Sequence, residues 1–128
     1  WVSLALSPSA CIWTAGIDAP IELPVAHGEG KFFAPPDILD NIEGGRLAPL
    51  RYAGLDLMPT QDFPGNPNGS AHAIAGLCDP SGLIFGLMPH PERSVLAHQH
   101  PNWRHNRLHG DPDGLRIFKN AVDYVRQA

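Results

Sequence analysis

The stretch AIAGLC-DPSG-LIFGLM-PHPER, residues 73–93, decides how this chain folds. Its two apolar runs, 73–78 and 83–88, have the length of strands and are joined by Asp79-Pro80-Ser81-Gly82. Asp stands at the first position, Pro at the second and Gly at the fourth of a type I turn, which predicts a β-hairpin. The second run is apolar on both faces (Leu83, Ile84, Phe85, Leu87, Met88), the pattern of a strand covered on both sides in a layered α/β sheet. Pro89 and Pro91 then push Met88 and His90 toward extended backbone. In extended chain His90 and Glu92 project to one side, at the carboxyl end of a strand, where open α/β sheets bind ligands.

Working outward, Val2, Leu4 and Leu6 alternate as in a strand, ended by Ser7-Pro8-Ser9. Ile21, Leu23 and Val25 predict a second strand over 21–26. Pro35-Pro36 opens a short helix carrying Ile38, Leu39 and Ile42, stopped by Gly44-Gly45. A strand over 47–53 and a polar loop over 54–70, closing on Asn66-Pro67-Asn68-Gly69-Ser70, lead into the hairpin. Beyond Pro91 a His-rich loop runs to Asp113, expected as N-cap of an amphipathic helix with Leu115, Phe118, Val122 and Val125 on its apolar face. There is no internal repeat and no interdomain linker.

The 128 residues, 43% apolar, make one ordinary α/β domain able to bury a core without metal or disulfide staples. The 13 Gly and 14 Pro leave the chain turn-rich yet below the roughly 25–30% that marks low complexity. A net charge of −4 argues against a nucleic-acid partner. No apolar run approaches the ~20 residues of a membrane span. Cys11 and Cys78 fit a reducing compartment, the cytoplasm. The first residues, Trp1-Val2-Ser3-Leu4, read as a strand entered partway.

A carboxylate beside an imidazole fixes its tautomer and stabilises the imidazolium, so His90 and Glu92 form the base and orienter of a nucleophilic triad. The competing reading pairs Glu92 with Arg93 or Arg104 at the surface, with His90 filling a turn. No nucleophile elbow accompanies them: Cys11 lacks flanking glycines, and Cys78 is followed by a turn and a strand, not a helix. Both read as packing cysteines. In Ala26-His27-Gly28-Glu29-Gly30 the glycines let backbone approach a ligand; a plain turn with a solvated Glu29 explains them too. His98, His100, His105 and His109 could chelate, but with no cysteine near they read equally well as a polar loop.

Together, LPVAHGEGKF (23–32), NPNGSAHAIAGLCDPSG (66–82), GLIFGLMPHPER (82–93) and DGLRIFKNAVDYV (113–125) resemble, in order and spacing, the class I glutamine amidotransferases, in the branch serving phosphoribosylformylglycinamidine synthase of de novo purine biosynthesis. The resemblance covers nearly the whole chain. It implies a flavodoxin-like three-layer α/β sandwich, of which these residues form the C-terminal part with a mixed sheet, a hairpin and the final helix. It implies a Cys-His-Glu triad in which His90 is the base and Glu92 its orienting carboxylate. His27, Gly28 and Glu29 would line the L-glutamine pocket. Glutamine would be hydrolysed through a glutamyl thioester, and the ammonia passed to a separate synthetase subunit that uses ATP and Mg.

The family's catalytic Cys lies in a glycine-rich elbow that these residues lack. The expectation is therefore a partial domain, 1–128, whose N-terminal half comes from elsewhere, with no cofactor or metal of its own and no glutaminase activity alone. Its uncovered apolar surface predicts self-association. The alternative is a non-catalytic module that docks on the synthetase with the same scaffold.

Overall fold

A computed structural model describes residues 1–105 and 110–128. Five strands, β1 (Val2–Leu6), β2 (Ile21–Leu23), β3 (Leu50–Ala53), β4 (Ile74–Cys78) and β5 (Phe85–Leu87), form one sheet in the order β2-β1-β3-β4-β5. Helix α1 (Pro36–Gly44) lies between β2 and β3, and α2 (Asp113–Gln127) follows β5. The α/β class, the hairpin and the C-terminal helix are as the sequence implies.

The mixed sheet is not what these residues form: every hydrogen-bonded pair is antiparallel. The reason is the place of β1. β2 and β3 run in the same direction and are joined through α1, as a parallel crossover would be, but β1 sits between them and opposes both. Parallel direction survives without parallel pairing.

Alternation along the strands sends two apolar sets to opposite faces. Leu4, Leu23, Leu50 and Tyr52 pack with Ile117 of α2, joined by half-buried Phe85 and Leu87. Ile42 of α1, Ala48 and Ile74 form the second cluster with Phe32, Leu39, Leu47 and Leu77. A break in register between Leu50/Gly76 and Arg51/Ile74 places one extra residue, Ala75, in β4, so that Ile74 serves one face and Gly76 the other.

Two expected faces are corrected. β5 is the sheet's edge among the described residues, and only its α2 side is covered. Phe85 and Leu87 point there, while Leu83 and Ile84 are exposed, the latter 71%. Helix α2 buries Gly114 and Ile117 rather than the expected stripe, and Phe118, Val122 and Val125 are exposed. Three anchors set this rotation: Asp113 to β2, Leu115 to Ser94, and Asn120, whose amide donates to the carbonyls of Trp13 at 2.9 Å and Ala15 at 2.8 Å. Asp113 is accordingly not the N-cap. Pro112 holds that position, and the Asp113 carboxylate accepts the Glu22 N–H at 2.8 Å.

Candidate functional site

Past β5 the chain is pinned residue by residue. The Met88 N–H donates to Ala75 O at 3.0 Å, Pro89 is fully buried, and the His90 N–H donates to Pro24 O at 2.8 Å. His90 is extended (φ −99°, ψ 92°), as proline at the next position requires. Pro91–Arg93 then closes into a 3-10 turn, and that turn rather than continued extension brings Glu92 back to the ring. Glu92 Oε1 lies 2.7 Å from His90 Nδ1. Arg93 Nε stands 3.9 Å from the same oxygen, and Arg104 lies over the Trp103 ring at 5.3 Å, so the surface pairing is secondary to the imidazole.

The hydrogen bond to His90 holds the Glu92 carboxyl below its ordinary range. A carboxylate on Nδ1 favours the tautomer with its proton there and leaves the Nε2 lone pair free. Nε2 has no hydrogen-bond partner among the described residues. That is the arrangement of a general base with its orienter.

The Pro24 carbonyl also sets the second segment beside the first. Three residues on, the His27 ring lies 6.4 Å from that of His90, centroid to centroid, tilted by 35°. It rests on Gly30, where a side chain would collide with the imidazole. Both His27 nitrogens are shielded from solvent without a partner among the described residues, and Gly28 and Glu29 are exposed. One cleft includes His90 and Glu92, and a second, which includes neither histidine, runs along the hairpin. The first, of 350 Å³, is lined by Trp13, Phe85, Met88, His90, Glu92 and Phe118. The other, of 470 Å³ and mostly apolar, lies between Phe32, Phe33 and Lys31 and the hairpin residues Ile74, Leu77 and Met88.

What holds the His27–Gly30 segment was not legible beforehand. Ser70, fully buried at the end of the NPNGS loop, accepts the Phe32 N–H at 3.0 Å and donates to Gly30 O at 3.4 Å, while Ala71 N–H reaches Phe32 O at 2.9 Å. Asn66 closes the loop on Ser70 through bonds of 3.0 and 2.9 Å. NPNGS is a turn, as its composition says, and also the bracket for the glycine-rich segment.

The remaining candidates lie apart. Cys11 and Cys78 are both buried, with Ser9 Oγ 3.4 Å from the Cys78 sulfur. Burial pushes the Cys11 thiol up, the reverse of what activates a nucleophile. His98 and His105 are exposed, and His109 lies outside the described residues. His100 is buried, with Nε2 2.8 Å from Glu22 Oε2 and Nδ1 accepting the Asn102 N–H at 3.1 Å. Among the described residues no three His, Cys, Asp or Glu side chains converge as metal ligands. No helix among them is long and apolar enough to cross a membrane.

The family model of the CobB/CobQ-like glutamine amidotransferase domain matches residues 1–125. The chain belongs to that family. The phosphoribosylformylglycinamidine synthase subunit PurQ of Dehalococcoides mccartyi is 44% identical to it over 128 residues, covering 99% of this chain and 48% of the relative. The protein of the same name from Salinibacter ruber is 42% identical over 105 residues, 82% of this chain and 40% of its own length. The solved structure of PurLQS from Thermotoga maritima superposes with a TM-score of 0.64 at 30% identity, covering 98% of this chain and 46% of the other. This chain thus spans about half the length of the curated relatives it matches. The match places the His90–Glu92 pair within an amidotransferase domain.

Proposed function

We propose that these residues carry the base, its orienting carboxylate and part of the substrate pocket of a glutaminase site, in the amidotransferase subunit of phosphoribosylformylglycinamidine synthase. The observation that carries this reading is the 2.7 Å contact between His90 Nδ1 and Glu92 Oε1, with no partner on Nε2 among the described residues. His90 Nε2 takes the proton of a cysteine thiol supplied by a part of the domain outside these residues. The thiolate adds to the carboxamide carbon of L-glutamine, the C–N bond breaks, and the imidazolium returns its proton to the departing ammonia. Glu92 stabilises the imidazolium between the two transfers, and water releases glutamate from the thioester. His27, whose ring lies 6.4 Å from that of His90, lines the glutamine pocket together with Gly28 and Glu29. The synthetase partner takes up the ammonia and is the component that uses ATP and Mg. The reading puts the protein in the cytoplasm and leaves residues 1–128, without a thiolate, inactive alone.

The test is complementation. The chain is co-expressed with the part of the 44%-identical relative that these residues do not cover, about half of its length, and ammonia release from L-glutamine is measured. Activity should appear only in the complemented protein and fall at least ~10³-fold in His90→Ala, as for loss of a triad base. Ammonia release by the chain alone, or a complemented protein indifferent to His90→Ala, overturns the reading.

A further inference from the structure

Glu92 sits on a 3-10 turn of three residues, its side chain is 56% exposed, and its closest side-chain partner among the described residues is His90. The turn is closed locally by the Arg93 N–H on His90 O at 3.2 Å and the Ser94 N–H on Pro91 O at 3.0 Å. The exposed turn and the His90 backbone, whose N–H is held by Pro24 O, are both braced from outside. The first turn of α2 grips both supports. The Asp113 carboxylate holds the Glu22 N–H at 2.8 Å, two residues before the Pro24 carbonyl that receives the His90 N–H at 2.8 Å. The Leu115 N–H donates to Ser94 O at 3.2 Å, just past the turn that carries Glu92. Between them Gly114 is buried against the same backbone: a Cβ there would run into the Pro91 carbonyl oxygen and stand 2.7 Å from Ser94 O.

We propose that Gly114, with Asp113, positions Glu92 for His90: the absent side chain lets α2 lie directly on the 91–94 backbone, and that contact fixes the carboxylate at hydrogen-bonding distance from Nδ1. The proposal rests on the glutaminase reading for its catalytic consequence but not for its geometry. The obstructing atoms are main-chain, so a methyl group at Gly114 finds no flexible tip to push aside. Regaining ordinary contact takes a displacement of about 1 Å in a close-packed interior. A shift of that size carries a 2.7 Å hydrogen bond past the ~3.2 Å limit.

The experiment reads the imidazole in the 128-residue chain by 15N NMR. In the parent chain His90 should carry its neutral-form proton on Nδ1, and the Glu92 carboxyl carbon should titrate below the ordinary range. Gly114→Ala should give a mixture of tautomers and return the Glu92 titration toward its usual value. Gly44→Ala, where a side chain meets nothing within 4 Å, should leave both unchanged. Asp113→Ala, which inserts nothing and removes only the β2 anchor, should act in the same direction, and Asp113→Asn, which keeps an acceptor, should restore the parent spectrum. A folded Gly114→Ala with the parent tautomer and titration overturns the proposal. If Gly114→Ala does not fold, Asp113→Ala with a parent spectrum overturns it equally. In the complemented enzyme Gly114→Ala should lower kcat by about 10²-fold with KM little changed. An inactive complemented enzyme with the parent tautomer intact counts against the glutaminase reading, while an altered tautomer supports the positioning role whatever the activity.

Discussion

Replacing Ser70 by alanine tests whether the NPNGS loop holds the glycine-rich segment 27–32. Ser70 is fully buried, and its hydroxyl serves two groups of that segment, the Phe32 N–H at 3.0 Å and the Gly30 carbonyl at 3.4 Å. Alanine removes both bonds while Ala71 keeps its own bond to Phe32 O at 2.9 Å, so the segment stays attached but loses its inner tether. An orphaned amide in a half-buried position costs ~1–3 kcal/mol, and the longer bond to Gly30 adds little. About 2 kcal/mol is the expected loss, equivalent to a roughly 30-fold rise in the opening equilibrium. Amide hydrogen exchange of Phe32 should accelerate by that factor, and urea unfolding should show a matching fall in stability. In the complemented enzyme KM for glutamine should rise. A Phe32 amide whose exchange changes less than about threefold, under ~0.7 kcal/mol, would refute the bracket role.

Two further outcomes follow from buried and paired groups. Tyr52 is fully buried, its hydroxyl has no partner among the described residues, and burial alone pushes the phenol up to about 12. Tyr52→Phe should therefore stabilise the chain by about 1 kcal/mol, raising Tm by ~4 °C; a measured loss would mean the hydroxyl is bonded in solution. Burial raises the Glu43 carboxyl, but hydrogen bonds from Arg51 (2.7 and 3.0 Å) and His72 (2.9 Å) outweigh it and hold the group below its usual value. A depressed carboxylate stabilises the fold above its unfolded pKa of about 4.3, and that contribution is lost as pH falls through the lower folded value. Denaturant midpoints at pH 7 and about pH 3.5 should differ less in Glu43→Gln than in the parent. The gap closed is well under ~1 kcal/mol, because Glu43 is partly solvent-screened; an unchanged gap would show that Glu43 carries no linked stability.

Elements whose causes lie within a few residues were legible. Asp79-Pro80-Ser81-Gly82 makes the turn it predicts, with the Gly82 N–H on Asp79 O at 2.9 Å. Helix α1 begins at Pro36 and ends at Gly44, as proline at the start and glycine at the stop dictate. The strand over 21–26 is shorter than expected because Pro24 cannot donate to the ladder. The burial of β5 and the face of α2 were misread, since periodicity reports that an apolar stripe exists and not which neighbour meets it. Phe118, Val122 and Val125 keep helical spacing and are nonetheless exposed.

By itself the sequence determined the hairpin, the start and stop of α1, the nearness of His90 to Glu92 and the amidotransferase kinship, because turn chemistry, proline and motif order act over short range. Only the tertiary structure decided that β1 lies between β2 and β3 and that Ser70 brackets Phe32. It alone set Asp113 and Gly114 of α2 against the backbone supporting the imidazole and its carboxylate. Those contacts join residues from 17 to 91 positions apart. Whether two such groups meet depends on the packing of everything between them, and no local pattern carries that information.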